Sequence, residues 1–402
     1  MSTIELDVRP GQGVGPFDIG ASLWNVLDTL REGKAQFPQV EIKFDNEDKA
    51  PATSPIIITL PPHVSLLFTG RTQRLHTILL HPITPVPPYS GLRLTYKSQT
   101  ISSPSQHFKR SDVNAVFGPT YKGKRRLIFP GIVFEFERAE GEDGEARRAG
   151  REEQVDRIVV VQREKERDGV EVDQEDGLRE CQAMVGELKR ADITMHQGVT
   201  LHFVPSLTST TPPEPIRVTM HQTTAEDLLA DLGPPLRVHY KTDERMSIHS
   251  AASGMEEDNN SYFYNYFQHG LDFLLDGETH RVTKIVMHSN VVGSALFQRY
   301  KRCPWQLIPA QPSGSPSSND AASPVPITVA SPPDTLIRYL SPLPLSNDTD
   351  SRTDAPPSMI LDRASESRDG PLLVGQTTRL LGFDGCVLEV GDGGEILALV
   401  LF

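Results

Sequence analysis

Three cysteines in 402 residues, Cys181, Cys303 and Cys386, are few, odd in number and without the spacing of metal ligands. That excludes a disulfide framework and fits free thiols in a reducing compartment. Positive charge is also short. Lys and Arg number 40 against 53 Asp and Glu, for a formal net charge of −13. Such a balance argues against general binding of nucleic acid or of an anionic membrane, while a local basic patch stays open. No apolar run approaches the roughly 20 residues that span a bilayer. Glu5, Asp7 and Arg9 stand where a secretory peptide needs its apolar centre. A soluble, cytoplasmic protein is the expectation. No P-loop lysine with its Ser or Thr, no Gly-x-Ser-x-Gly elbow and no Cys-x-x-Cys occurs.

What the chain does have is an aromatic stretch over residues 261–290 that reads as three strands, 262–267, 271–275 and 282–288. Leu271, Phe273 and Leu275 share one face, because successive side chains alternate. Asp276-Gly277 marks a tight turn between antiparallel strands. The pair 270–275 and 282–287 has look-alikes at 63–68 with 75–80, at 131–136 with 155–160, and at 385–390 with 396–401. The offset is 12, 12 and 11 residues in three of the four, and 24 in the pair that begins at 131. Helical spacing precedes each pair. Ser22 to Leu30, Ser111 to Phe117, Thr224 to Leu232 and Asp334 to Leu340 carry apolar stripes, and two of them stop at Gly-Pro.

These features predict an α+β fold of repeated units, each a helix on an antiparallel sheet of three to four strands, interrupted by disordered insertions. The units are expected at 1–82, at 88–162 with a charged insertion at 138–154, at 193–310, and at 325–402 with a disordered loop at 342–371, and the Ser/Pro-rich stretch 311–333 also reads as mostly disordered. A charged linker, 163–192, separates the second from the third, and reads either as a solvated amphipathic helix or as a flexible connection.

The chemistry offers less. Gly11-Gln-Gly13-Val-Gly15 follows a short strand, yet Pro16 stands where a nucleotide-binding helix would begin, so a turn is the better account. The twelve histidines form no short-spaced pair with a carboxylate or Cys, so no metal is expected. Asp272 and Asp276 are one aspartate facing outward and one in a turn, set against an acid/base pair that lacks an evident partner. In 262–267 one face carries Tyr262, Tyr264 and Tyr266, and the other Phe263, Asn265 and Phe267. Two readings stand: phenylalanines packed inward with half-covered tyrosines, or a tyrosine-rich partner surface. Arg237, Tyr240, Lys241 and Arg245 lie upstream, and Lys284, Arg299, Lys301 and Arg302 downstream. That local positive charge suits an acidic partner or a phosphoinositide headgroup, or else balances the chain's own acids. Arg237, Tyr240, Lys241, Arg245, Tyr262, Tyr264, Tyr266 and Lys284 are therefore the candidate partner-binding residues.

Arg237 to Ser250, Ser261 to Asp276, Thr279 to Asn290 and Tyr300-Lys-Arg-Cys303 together resemble the phagosome (phagophore) assembly factor family. The likeness is specific over about 216–310, looser over the first 135 residues and in the closing strands, and missing from the charged and Ser/Pro-rich insertions. The resemblance implies a non-enzymatic cytoplasmic adaptor without cofactor, metal, nucleic acid or small-molecule substrate. It implies a complex with a WD-repeat propeller protein and recruitment to phagophore membranes where phosphoinositides are read. The trans-Golgi network is a second implied setting. Direct phosphoinositide binding and trans-Golgi to plasma membrane transport are the alternatives to the adaptor role.

Overall fold

A computed structural model describes residues 4–45, 51–81, 92–103, 108–120, 125–136, 153–163, 177–208, 213–240, 261–308, 325–341, 356–362 and 377–402. They divide into two compact units, Met1–Asp45 with Ser54–Val185, and Asn46–Thr53 with Gly186–Phe402.

The first unit holds two sheets. One has five strands in the order Phe17–Asp18, Gly13–Val14, Ile4–Arg9, Leu92–Tyr96 and Gln99–Ser102, and its central pair is parallel. The other has seven, all antiparallel: Arg126–Phe129, Ile132–Phe136, Val155–Val161, Leu75–Leu80, Val64–Phe68, Ile56–Leu60 and Glu41–Lys43.

The second unit follows the same order. Its five-stranded sheet runs Ile216–Thr219, Gly198–Phe203, Leu188–Thr194, Trp305–Leu307 and Ile327–Thr328, again with a parallel pair at the centre. Its eight-stranded sheet runs Arg237–Tyr240, Tyr262–Tyr266, Leu271–Leu275, Val282–His288, Ile396–Leu401, Cys386–Val390, Thr377–Phe383 and Ser358–Asp362. One core draws on both sheets and two helices: Ala191, Leu201 and Trp305 from the smaller sheet, Tyr266, Phe273, Ile285 and Leu399 from the larger, and Leu228 and Leu336 from the helices.

The expected fold class is overturned. Among the described residues 46% are strand and 14% helix, with four helices and four sheets of five to eight strands. The chain is mostly β and not a row of helix-on-sheet units. All four hairpins found by spacing are present as antiparallel pairs. Each carries a register shift at the last residue of its first strand, at Phe68, Phe136, Leu275 and Val390. They do not stand as separate units. Leu75–Leu80 pairs with Val155–Val161, and Val282–His288 with Ile396–Leu401, so two meanders fuse into each large sheet. The reason lies in the backbone. The last strand of an isolated meander leaves a row of N–H and C=O groups unpaired, and joining two such edges satisfies both. Local pattern specifies a hairpin but carries no signal for the partner of its outer edge.

Where helices form, the local reasons are plain. In Leu23–Glu32 the hydroxyl of Ser22 accepts from the Asn25 N–H at 3.2 Å, and Leu23, Val26, Leu27 and Leu30 make the buried stripe. Ala225–Leu232 begins in a reciprocal cap. Thr224 Oγ1 accepts from the Asp227 N–H, and the Asp227 carboxylate accepts from the Thr224 N–H. The second helix is Arg110–Phe117, starting before the expected Ser111. Its start is fixed instead by Asp112, which accepts from the Lys109 N–H at 3.0 Å. Pro333–Leu340 opens on proline, whose missing N–H costs nothing in a first turn.

Three composition-based expectations give way to strands. Leu188–Thr194, which begins inside the expected linker 163–192 and runs past its end, buries Leu188, Ala191 and Ile193 while its charged residues point outward. Alternation of apolar and charged side chains is the mark of a half-buried strand, and charge density masked it. Ile327–Thr328 and Ser358–Asp362, in segments read as disordered, each pair with a neighbour. Residues 137–152, 164–176, 309–324, 342–355 and 363–376 lie outside the described residues.

Candidate functional site

The second unit contains a buried polar layer on the side of the eight-stranded sheet away from its core. Alternation in Leu271–Leu275 sends Leu271, Phe273 and Leu275 into that core and leaves Asp272 on the opposite face. Asp272 is nevertheless buried, with 6% of its surface exposed, so it is not the outward aspartate that the sequence suggested. Asn265 Nδ2 donates to Oδ1 at 2.7 Å, and His288 Nε2 and Tyr300 Oη both donate to Oδ2 at 2.8 Å. A buried carboxylate is tolerated only when it is so satisfied.

The segment between Val291 and Arg302 caps this layer. Tyr300 lies on His288 with ring centroids 3.6 Å apart, and Phe267 meets the Tyr300 ring edge-on at 4.8 Å. Lys301 Nζ pairs with Glu187 at 2.7 Å, and Arg302 Nε donates to the Ser289 carbonyl at 2.8 Å. Asn290 Oδ1 accepts from the Gln298 N–H, which pins the turn. Gly270 makes the close approach possible. It has φ of 69°, and a Cβ there would stand 2.2 Å from the Lys301 carbonyl oxygen. His288, Asn290, Tyr300, Thr378 and Glu389 also line a shallow cleft, and Thr378 Oγ1 donates to Glu389 at 2.8 Å.

His269 sits under the same cap, edge-on to Phe203 and stacked on Tyr266. Burial, aided by the nearby Lys301 charge, pushes its pKa down to about 4, so at neutral pH it is an uncharged ring. Cys303 and Cys386 are buried free thiols, and burial raises the pKa of each, which makes them poor nucleophiles. Asp276 is a turn residue, as expected. It accepts from the N–H groups of Glu278 and Thr279, and the Thr279 bonds hold its carboxyl below its ordinary pKa. Among the described residues no group of three His, Cys, Asp or Glu side chains is placed to hold a metal ion, and no helix is long and apolar enough to cross a membrane.

The candidate partner-binding residues scatter. Arg237 and Tyr240 stand exposed on the terminal strand of the large sheet. Lys241 and Arg245 lie outside the described residues. Tyr262 and Tyr266 are core residues. Tyr262 Oη is 2.9 Å from His280 Nδ1, and Tyr266 donates to the Gly233 carbonyl at 2.8 Å. Tyr264 is half-buried against the same core. The tyrosine face is thus the inward one, the reverse of the phenylalanine-inward reading, and burial removes Tyr262 and Tyr266 from any surface. Lys284 is exposed, 6.0 Å above the Phe402 ring. Lys301 and Arg302 are buried and engaged, so the positive cluster read from the sequence is not a single patch. Sequence reasoning missed the group of Asn265, Asp272, His288 and Tyr300. Its one local signal was polar residues alternating with core residues in strands too apolar to be half-solvated.

Architecture and site define a mostly β protein of two units with matching strand order, one of which ties sheet to loop through a buried carboxylate. The chain belongs to the phagosome assembly factor 1 family, whose sequence profile matches residues 13–402. A PHAF1 protein of Arabidopsis thaliana is 29% identical over 332 residues, 75% of each chain. One from Drosophila melanogaster is 34% identical over 103 residues, 25% of this chain and 24% of the relative. One from Caenorhabditis elegans is 37% identical over 86 residues, 20% of each. No solved structure matches.

Proposed function

We propose that this chain is a non-enzymatic adaptor of autophagosome assembly and membrane trafficking that works in complex with a WD-repeat propeller protein. The observation that carries the reading is the family match across residues 13–402, which includes both units. The polar layer fits the same role. All three donors on Asp272 come from the protein itself, so the carboxylate serves to hold a loop in one shape for recognition. Recruitment to phagophore membranes, where phosphoinositides are read, then comes through the partner and not through a basic face of this chain.

Affinity purification of the tagged full chain from its source cells, fed and starved, tests the proposal. A WD-repeat protein recovered in stoichiometric amount, with both proteins moving to phagophore puncta on starvation, is the expected result. Recovery of the chain without any such protein, or membrane flotation of the purified chain alone that weakens with salt, would overturn it.

A further inference from the structure

The two units carry one glutamate at the same place in their larger sheets. Glu135 and Glu389 are the penultimate residues of Ile132–Phe136 and Cys386–Val390, and the register shift follows each directly. In the first unit an arginine meets it from either side. Arg126 stands opposite on one flanking strand, with Nε 3.0 Å from Oε1, and Arg157 on the other, with Nη1 3.6 Å from Oε2. In the second unit those two register positions hold Leu380 and Ala398. The acid is kept, and neither flanking strand supplies a guanidinium opposite it. A shallow cleft of about 370 Å³ opens there instead, between the sheet and the Val291–Arg302 segment. Glu389, only 5% exposed, lines it and accepts from Thr378 Oγ1. Among the described residues no Lys or Arg lines the cleft. Its walls divide by chemistry: Ala295, Leu296 and Leu397 are apolar, while Asn290, Ser294 and Tyr300 carry oxygens.

We propose that this cleft receives the side chain of an arginine presented by a partner protein. Its guanidinium meets the Glu389 carboxylate, as Arg126 and Arg157 meet Glu135 in the first unit. Its methylene stem lies along Leu296 and Leu397, and its remaining N–H groups turn to the oxygens of Ser294 and Tyr300. A lysine brings equal charge but a single point of attachment, so arginine is the better fit. The Asp272 layer has a part in this, since Tyr300 and His288 are both cleft residues held by that carboxylate. The inference deepens the adaptor reading and rests on it for the existence of a protein partner.

The test titrates the isotope-labelled full chain with the capped peptide Ala-Ala-Arg-Ala-Ala, read by NMR at the backbone amides. Saturable shifts are expected at Ser294, Ala295, Leu296 and Leu397. The lysine peptide should bind about tenfold more weakly, and the citrulline peptide, uncharged but alike in shape, should not bind. Glu389→Gln keeps an acceptor for Thr378 and should cost about tenfold or more in affinity. Leu380→Arg sets the first unit's cation opposite Glu389 and should close the cleft to the peptide. Glu278→Gln, in an exposed turn, should change nothing. No saturable shift at the cleft amides overturns the inference, and so does equal binding of the citrulline peptide. So does undiminished binding by Leu380→Arg with the parent's spectrum elsewhere, which decides the matter even if Glu389→Gln fails to fold. In cells, Leu380→Arg should reduce recovery of the partner with the tagged chain. Unchanged recovery, with peptide binding lost, would assign the cleft to a small guanidinium compound and sink the claim on a protein. Peptide binding intact while no partner co-purifies counts against the adaptor reading alone.

Discussion

The imidazole of His288 lies flat against the phenol of Tyr300, with planes 17° apart, and both rings hydrogen-bond to the same oxygen of Asp272. One carboxylate thus fixes the strands Tyr262–Tyr266 and Val282–His288, and the loop that follows, to a single point.

Asp272→Asn should destabilise the second unit by about 3 kcal/mol, because an amide offers one acceptor oxygen where three donors converge and turns its NH2 on one of them. Tyr300→Phe removes a single donor and should cost about 1 kcal/mol. Urea denaturation of both variants measures the ratio. Equal effects would mean that Asp272 is not the shared acceptor.

His269 predicts a pH dependence. Its folded pKa lies near 4, below the 6.5 of an unperturbed imidazole, so the unfolded chain binds the extra proton first. Stability is therefore fully present above about pH 6.5 and falls as the pH drops toward 4, by up to roughly 3 kcal/mol. The variant His269→Phe should flatten that part of the curve. Unfolding free energies of the two proteins at pH 6.5 and 4.5, compared pairwise, check it.

Gly270→Ala should cost about 2 kcal/mol or more, since the positive φ and the Lys301 carbonyl 2.2 Å from the new Cβ both oppose a side chain. Gly394→Ala shares the positive φ but meets no atom within 4 Å, and should cost about 1 kcal/mol. Thermal melts of the pair separate crowding from backbone strain.

The tyrosines of one sheet face should divide sharply. Tyr266→Phe removes the buried hydroxyl that donates to the half-buried Gly233 carbonyl and should lose about 1 kcal/mol, whereas Tyr240→Phe, at an exposed position, should stay within about 0.5 kcal/mol of the parent. Denaturant midpoints decide, and a reversal would mean that the register of Arg237–Tyr240 against Tyr262–Tyr266 is shifted.

Sequence patterns reached the hairpins because those depend on neighbours. The spans 271–275 and 282–288 are the observed strands, and Asp276 lies in the expected turn between them. Patterns failed where the deciding partner is remote. Both faces of Tyr262–Tyr266 are aromatic, so orientation turned on whether the buried hydroxyls could find the Gly233 carbonyl and His280, which no local window contains. Asp272 looked solvent-facing because its cover, the Val291–Arg302 segment, reads as an ordinary loop. The joining of hairpins at their last strands was equally invisible, since nothing in Val282–His288 names Ile396–Leu401 as its neighbour.

That junction has a consequence for biosynthesis. Ile396–Leu401 is hydrogen-bonded on both sides, to Val282–His288 and to Cys386–Val390, at the centre of the larger sheet. Ribosomes must finish nearly the whole second unit before its middle strand exists, and until then Val282–His288 shows a bare apolar margin to the cell. Contacts so distant along the chain form slowly. Newly made protein should accordingly lean on chaperones, and premature stop codons just short of residue 396 should yield aggregates and not a shortened fold.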